Sequence, residues 1–270
     1  MADVTVVLPL FNKAQYVAET IASLRRQTTS NWKLLVVDDA STDRSLEFVK
    51  AHAPSSKTTI IEKRTNTGIC DVLNTALRVI DTPFFLQVDG DDWIEPETIE
   101  VMLNEMKCVS DHVGLCYANT MHWHEANGSL QLNKVQRHHQ FLDRYDFVTY
   151  DPMVQPRFYR TSAVKAVGGW NIDSLTGGRY MEDRRMLLQL LDEYTFHYID
   201  RDLYHFRYHQ TNLSLDQNAT IYNQIRKMES EKALIRWGDQ YRLEMVGSSD
   251  LWQSVQLIPK RKGVRRIWLK

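Results

Sequence analysis

Apolar positions in the first hundred residues alternate between the strand period and the helix period. Residues 5–10 form a short β-branched run, followed by Val17, Ile21 and Leu24 at i, i+4 and i+7 on one helical face. Asn12 is placed to cap that helix, with Gln15 three residues on reaching back. Residues 32–37 predict a second strand, and Leu46 and Val49 mark a second helix. Residues 58–62 read as a third strand. A turn at 66–68 then opens a helix carrying Val72, Leu73, Ala76, Leu77 and Ile80. Residues 84–88 are a fourth strand, and Pro96 suits the first position of a helix that buries Ile99, Met102, Leu103 and Met106. Strands separated by helices imply parallel pairing, right-handed crossovers and a ligand crevice beyond the carboxyl ends of the strands. The residues at those ends are Phe11 and Asn12, Asp38 and Asp39, Asn66, and the acidic group Asp89, Asp91 and Asp92.

From about residue 113 the pattern changes. Residues 114–123 and 130–135, separated by Asn127-Gly128, predict a hairpin. A short helix over 162–167 is closed by Gly168-Gly169, and residues 175–178 form a flexible glycine loop. Met186, Leu187, Leu190 and Leu191 make a helical stripe just after Glu182-Asp183. Residues 196–199 and 203–208 read as strands, and 219–237 as a helix. The expected organisation is a domain over 1–215 with a nucleotide-binding half (1–112) and an acceptor-binding half (113–215). A C-terminal helical extension follows over 216–270 and ends in the basic tail KRKGVRRIWLK.

The formal net charge of -1 gives no reason to expect a nucleic-acid partner. Three cysteines at no metal-ligand spacing disfavour a disulfide framework and fit a reducing compartment. The N-terminus lacks signal-peptide features, and no apolar run approaches a membrane span. A cytoplasmic protein is expected. The tail either docks on the anionic inner face of a membrane or is simply a solvated terminus. The phosphate loop GxxxxGK[ST], the dinucleotide GxGxxG and the GxSxG elbow are all missing, which lowers ATPase, dehydrogenase and hydrolase readings.

The acidic strand ends carry the candidate chemistry. Asp89 and Asp91, two apart at the end of an apolar strand, can face one hard cation such as Mg²⁺ or Mn²⁺ that also bridges substrate phosphates. Asp39 is either a loop carboxylate or the acceptor of a nucleobase N–H. Glu182-Asp183 either complements a helix dipole or supplies a general base. His209 is either a metal or pyrophosphate ligand or an ordinary surface or core histidine.

Taken together, VVLPLFNKAQYVAETIASLRRQTTSNWKLLVVDDASTD, NTGICDVLNTAL, FFLQVDGDDW, VGGWN, GGRYMEDRRMLLQL and YHFRYHQTNLS resemble the family 2 glycosyltransferases in order and spacing, over residues 3–215. The resemblance implies an α/β GT-A fold with a central, mostly parallel sheet. It implies an inverting, metal-dependent transfer of a sugar from a nucleotide-sugar, with a UDP-sugar expected, to a hydroxyl acceptor. Carried onto this chain, it assigns Pro9, Leu10, Phe11, Asp39, Asn66, Gly68, Asp89 and Gly90 to the nucleotide. Asp91, with Asp89 and His209, goes to a divalent cation, Asp183 is the base and Glu182 its support. Asp92 extends the acidic motif. Two positions depart from the family pattern. Leu73 stands where many members have Arg, and Trp170-Asn171 stands where Phe-Asp is usual, making Trp170 either an acceptor platform or a core aromatic. The alternatives are a nucleotidyltransferase acting on a sugar phosphate, or a non-catalytic nucleotide-sugar-binding protein.

Overall fold

The structure, a computed structural model, describes residues 2–126, 129–173, 175–210, 212 and 216–260. Its strands are β1 (Val4–Leu10), β2 (Trp32–Asp38), β3 (Thr58–Glu62), β4 (Phe84–Gln87), β5 (Trp93–Ile94), β6 (Val113–Ala126), β7 (Ser129–Gln136), β8 (Gln155–Arg160), β9 (Thr195–Tyr208), β10 (Tyr241–Val246) and β11 (Ser254–Pro259). Its helices are α1 (Val17–Arg25), α2 (Ser45–His52), α3 (Ile69–Val79), α4 (Thr98–Cys108), α5 (Arg144–Thr149), α6 (Thr161–Ala166), α7 (Glu182–Leu190) and α8 (Ala219–Arg236).

The main sheet runs β3-β2-β1-β4-β8-β6-β9-β5, with β7 added to β6. The four strands expected from the alternating pattern do pair in parallel, in the order β3, β2, β1, β4. Their continuous apolar runs follow from burial on both faces. Val7, Leu35, Phe85 and Tyr159 enter one core, and Val6, Leu34, Leu86 and Phe158 enter the other. Neighbours along each strand thus alternate between the two faces.

Several local expectations change. Asn12 does not cap α1, which begins five residues later. Its backbone is left-handed (φ 51°), and its side-chain oxygen accepts from the Thr42 N–H at 2.8 Å, tying the β1 end to the loop after β2. Helix α4 begins two residues after Pro96. The two strands expected over 196–208 are one, β9. β8 and α5 lie where no element was expected; QPRFYR, with a proline and two arginines in six residues, does not read as an inner strand. Yet β8 pairs with β4 on one side and β6 on the other, antiparallel to both.

After α8 the chain forms the antiparallel hairpin β10–β11, so residues 216–260 are not helical throughout. Ala233, Leu234, Trp237, Leu243 and Val255 pack this segment into the same core as Phe147 and Leu187. No helix among the described residues is long and apolar enough to cross a membrane. The Asn127-Gly128 turn and tail residues 261–270 lie outside the described residues.

Candidate active site

The carboxyl ends of β1, β2 and β4 open onto one crevice, as parallel sheets arrange. Asp38 closes β2, and the backbone N–H of Asp39 donates to the Leu10 carbonyl at 2.8 Å. The buried Asp39 carboxylate accepts from the Thr67 N–H at 2.9 Å and the Gly68 N–H at 2.8 Å. It therefore fixes the turn that starts α3. Gly68 has φ 90°, which favours glycine, and a Cβ there would lie 3.0 Å from Arg179 Cγ. Lys63 lies 3.2 Å from Asp39 and also pairs with Asp71.

Of the three residues at the β1 end, Phe11 presents its ring to solvent at 41% exposure. Pro9 is half-buried. The Leu10 side chain lies in the core, so only its backbone serves the crevice. Leu73 is also a core residue, as α3 amphipathicity requires. The cations that reach the 66–68 turn are Lys63 and Arg179, which holds Asn66 Oδ1 at 2.5 Å.

The three carboxylates after β4 point to three different partners. Asp92 faces inward. It accepts from the Arg207 N–H at 2.9 Å and the Tyr204 hydroxyl at 2.8 Å, pinning β9 to the β4 end. Burial, then the Asp91 charge, push its carboxyl well above the usual range. Asp91 meets His209 Nε2 at 2.9 Å and the Lys13 ammonium on the same oxygen. Burial alone would raise Asp91; His209 and Lys13 outweigh it and hold the carboxyl down at about 2. His209 is itself buried, with its ring stacked on Tyr16 at 4.4 Å. Gly90 lets Lys13 approach, since a Cβ there would lie 3.3 Å from Lys13 Cγ.

Asp89 turns toward Arg157, which was not anticipated. Arg157 is 3% exposed and lies 3.3 Å from both Asp89 and Asp183. Burial pushes Asp89 up and Arg157 pulls it back. With its side chain still 30% open to solvent and a guanidinium at 3.3 Å, the ionised pair is the state that fits the geometry. The guanidinium is itself held more firmly charged, its two carboxylates outweighing burial. One buried cation thus joins a carboxylate at the β4 end to the carboxylate expected as base.

Glu182 and Asp183 open α7. The two arginines after them face inward: Arg184 donates to the carbonyls of Phe147, Tyr150 and Asp151, and Arg185 pairs with Asp173. Asp173 also accepts from the N–H groups of Thr176 (2.7 Å) and Gly178 (3.1 Å). The Gly178 carbonyl accepts from the Cys70 N–H at 3.3 Å, docking this glycine loop on α3. Burial first, and the adjacent Asp183 charge second, push Glu182 up to about 8. Glu182 therefore holds a proton through most of the neutral range while Asp183 faces Arg157.

Trp170 packs as a core aromatic. It is 4% exposed, with its ring 6.2 Å from Phe85 and 6.0 Å from Tyr159 and its backbone held by Asn74. Among the described residues no three His, Cys, Asp or Glu side chains are gathered to hold a metal. The donors that do meet are Asp91 and His209. A hard cation that takes its remaining oxygens from water and a diphosphate needs few protein ligands, so this pair fits such an ion.

The profile of glycosyl transferase family 2 matches residues 5–168. Glycosyltransferase GlyA of Streptococcus pneumoniae serotype 4 is 25% identical over 78% of the chain, which spans about a third (31%) of that protein. Putative glycosyltransferase EpsH of Bacillus subtilis is 22% identical over 99% of the chain and 80% of its own length. Among solved structures, S. aureus TarS 1-349 in complex with UDP-GlcNAc superposes with a TM-score of 0.64 at 19% identity, over 86% of this chain and 67% of its own. Mannosyltransferase PcManGT from Pyrobaculum calidifontis, in complex with GDP-Man and Mn²⁺, gives 0.63 at 17%, over 86% and 64%. These likenesses carry the GT-A fold. With the profile covering more than half of the chain, the chain belongs to glycosyl transferase family 2.

Proposed function

We propose that the protein is an inverting glycosyltransferase that moves one sugar from a UDP-sugar to a hydroxyl acceptor. The observation that carries this reading is the Arg157 bridge, which sets Asp183 and Asp89 on one guanidinium at the end of β4. In this reading Phe11 stacks on the base, and Asp39 with the 66–68 turn forms the base end of the crevice. Asp183 takes the proton from the acceptor hydroxyl as that oxygen attacks the anomeric carbon. Glu182, protonated, sits beside it without adding charge. A divalent cation, Mn²⁺ or Mg²⁺, would be held by Asp91 and His209 and would neutralise charge on the departing diphosphate. Lys13 would give up its place on Asp91.

The test is thermal unfolding with UDP, GDP, dTDP and CTP, each with and without Mn²⁺. A nucleotide at 100 times its Kd adds about 2.7 kcal/mol. UDP with Mn²⁺ should give the largest shift. A shift with CTP alone would favour nucleotidyl transfer. If no nucleoside diphosphate gives a metal-dependent shift, the reading fails.

A further inference from the structure

With Trp170 in the core, the acceptor needs another surface. Tyr180 lies two residues before Glu182. Its ring meets Tyr222, in the first turn of α8, edge-on at 5.7 Å. Tyr222 in turn meets Trp252, in the loop between β10 and β11, at 5.2 Å. The three rings come from three separate segments and form one ladder. Its inner end lies beside the catalytic pair, near enough that, after burial, the Glu182 and Asp183 charges raise the Tyr222 hydroxyl. Its outer end is open: Trp252 is 44% exposed and the adjacent Leu251 58%.

The outer loop is built, not loose. Buried Asn223 donates to the Leu251 carbonyl at 2.6 Å and accepts from the Gln253 N–H at 3.1 Å. The Trp252 indole N–H donates to Asp216 at 2.6 Å. A large exposed aromatic held by hydrogen-bonded neighbours, and joined through two rings to the segment that carries the catalytic pair, is a recognition surface of the kind that tryptophan and tyrosine supply at low entropic cost. The apolar C–H face of a sugar ring packs on such a face while its hydroxyls stay hydrated. The Asp216 and Asp183 carboxylates make the ladder unsuited to an anionic chain.

We infer that the Tyr180–Tyr222–Trp252 ladder is the acceptor subsite, and that the acceptor is an uncharged oligosaccharide of two or more sugars whose far end rests on Trp252. This rests on the glycosyltransferase reading. The hydroxyl to be glycosylated lies at Asp183, and the rest of the acceptor runs outward along the rings.

The experiment uses the full chain, UDP-sugar donors with Mn²⁺, and mono- to tetrasaccharides of the chitin, cellulose and maltose series together with a printed array of neutral bacterial glycans. Two quantities are measured: UDP release without acceptor, and binding or transfer with each glycan. Binding should strengthen from mono- to trisaccharide in at least one series or array glycan. Trp252→Ala should weaken it about tenfold, which matches the loss of one aromatic contact. Trp252→Phe should keep most of it, and UDP release without acceptor should be unchanged in both variants. Equal affinity for short and long glycans, or no glycan bound, overturns the subsite, as does Trp252→Ala binding like the parent. Loss of UDP release in the parent chain itself would instead count against the glycosyltransferase reading.

Discussion

Replacing Glu182 by Gln tests the division of labour between the two carboxylates that open α7. Burial and the Asp183 charge push Glu182 from 4.5 to about 8. At pH 7 the protonated form then exceeds the ionised form by about ten to one. Gln has nearly the shape of that protonated form and carries no charge either. Glu182→Gln should therefore keep kcat/KM at pH 7 within about threefold of the parent. Asp183→Asn should lose roughly 10²–10⁴, the usual contribution of a general base. The assay is nucleoside diphosphate release followed from pH 5.5 to 9.5. The parent should show an alkaline inflection near 8, as a second negative charge forms beside Asp183, and Glu182→Gln should lose that inflection. Stability must follow the same sign. A carboxyl raised by folding stabilises fully below its unfolded value, near 4.5, and loses that contribution as pH rises toward 8. The melting temperature of Glu182→Gln should thus fall less steeply across this window. If Glu182→Gln is as inactive at pH 7 as Asp183→Asn, Glu182 acts as a carboxylate and the reasoning fails.

Arg157→Met should destabilise the fold by about 3–5 kcal/mol in urea titrations, because it strands two carboxylates that one guanidinium serves; Arg157→Lys should recover part of the loss, and a neutral result would refute the bridge. Trp170→Ala should cost about 3–5 kcal/mol as a core truncation. Trp170→Phe, which removes an indole N–H without a partner among the described residues, should leave acceptor KM unchanged, and a raised KM would restore Trp170 as an acceptor contact.

The parts legible in the sequence were those with strong periodicity or a dense local signal. β1 to α4 stand out because buried parallel strands alternate with amphipathic helices. Asp91 and Asp183 stand out because charge follows directly on an apolar run or a glycine turn. Arg157 was not legible: its value lies in two carboxylates 68 and 26 residues away, and its own strand looks polar. Lys13 likewise reads as a solvated loop residue until folding sets it on Asp91. Trp170 and Trp252 show the converse. Composition marks both as large aromatics, but only the packing of β4, β8 and α3 decides that the first is enclosed, and only the hairpin loop decides that the second is presented.

The place of β8 between β4 and β6 has a consequence for how the molecule can be divided. Residues 1–112 carry a complete run of parallel strands, yet a fragment ending there would leave β4 as an open edge and β5 without its strand neighbour β9. Unpaired edges of this kind invite association with other chains. The parallel strands β1 to β4 are closed by a strand from beyond residue 150, so this part of the sheet is finished only late in the chain. The same strand brings in Arg157. The strand that closes the sheet thus also joins Asp89 to Asp183, and a split protein that failed to recover β8 would lose both together.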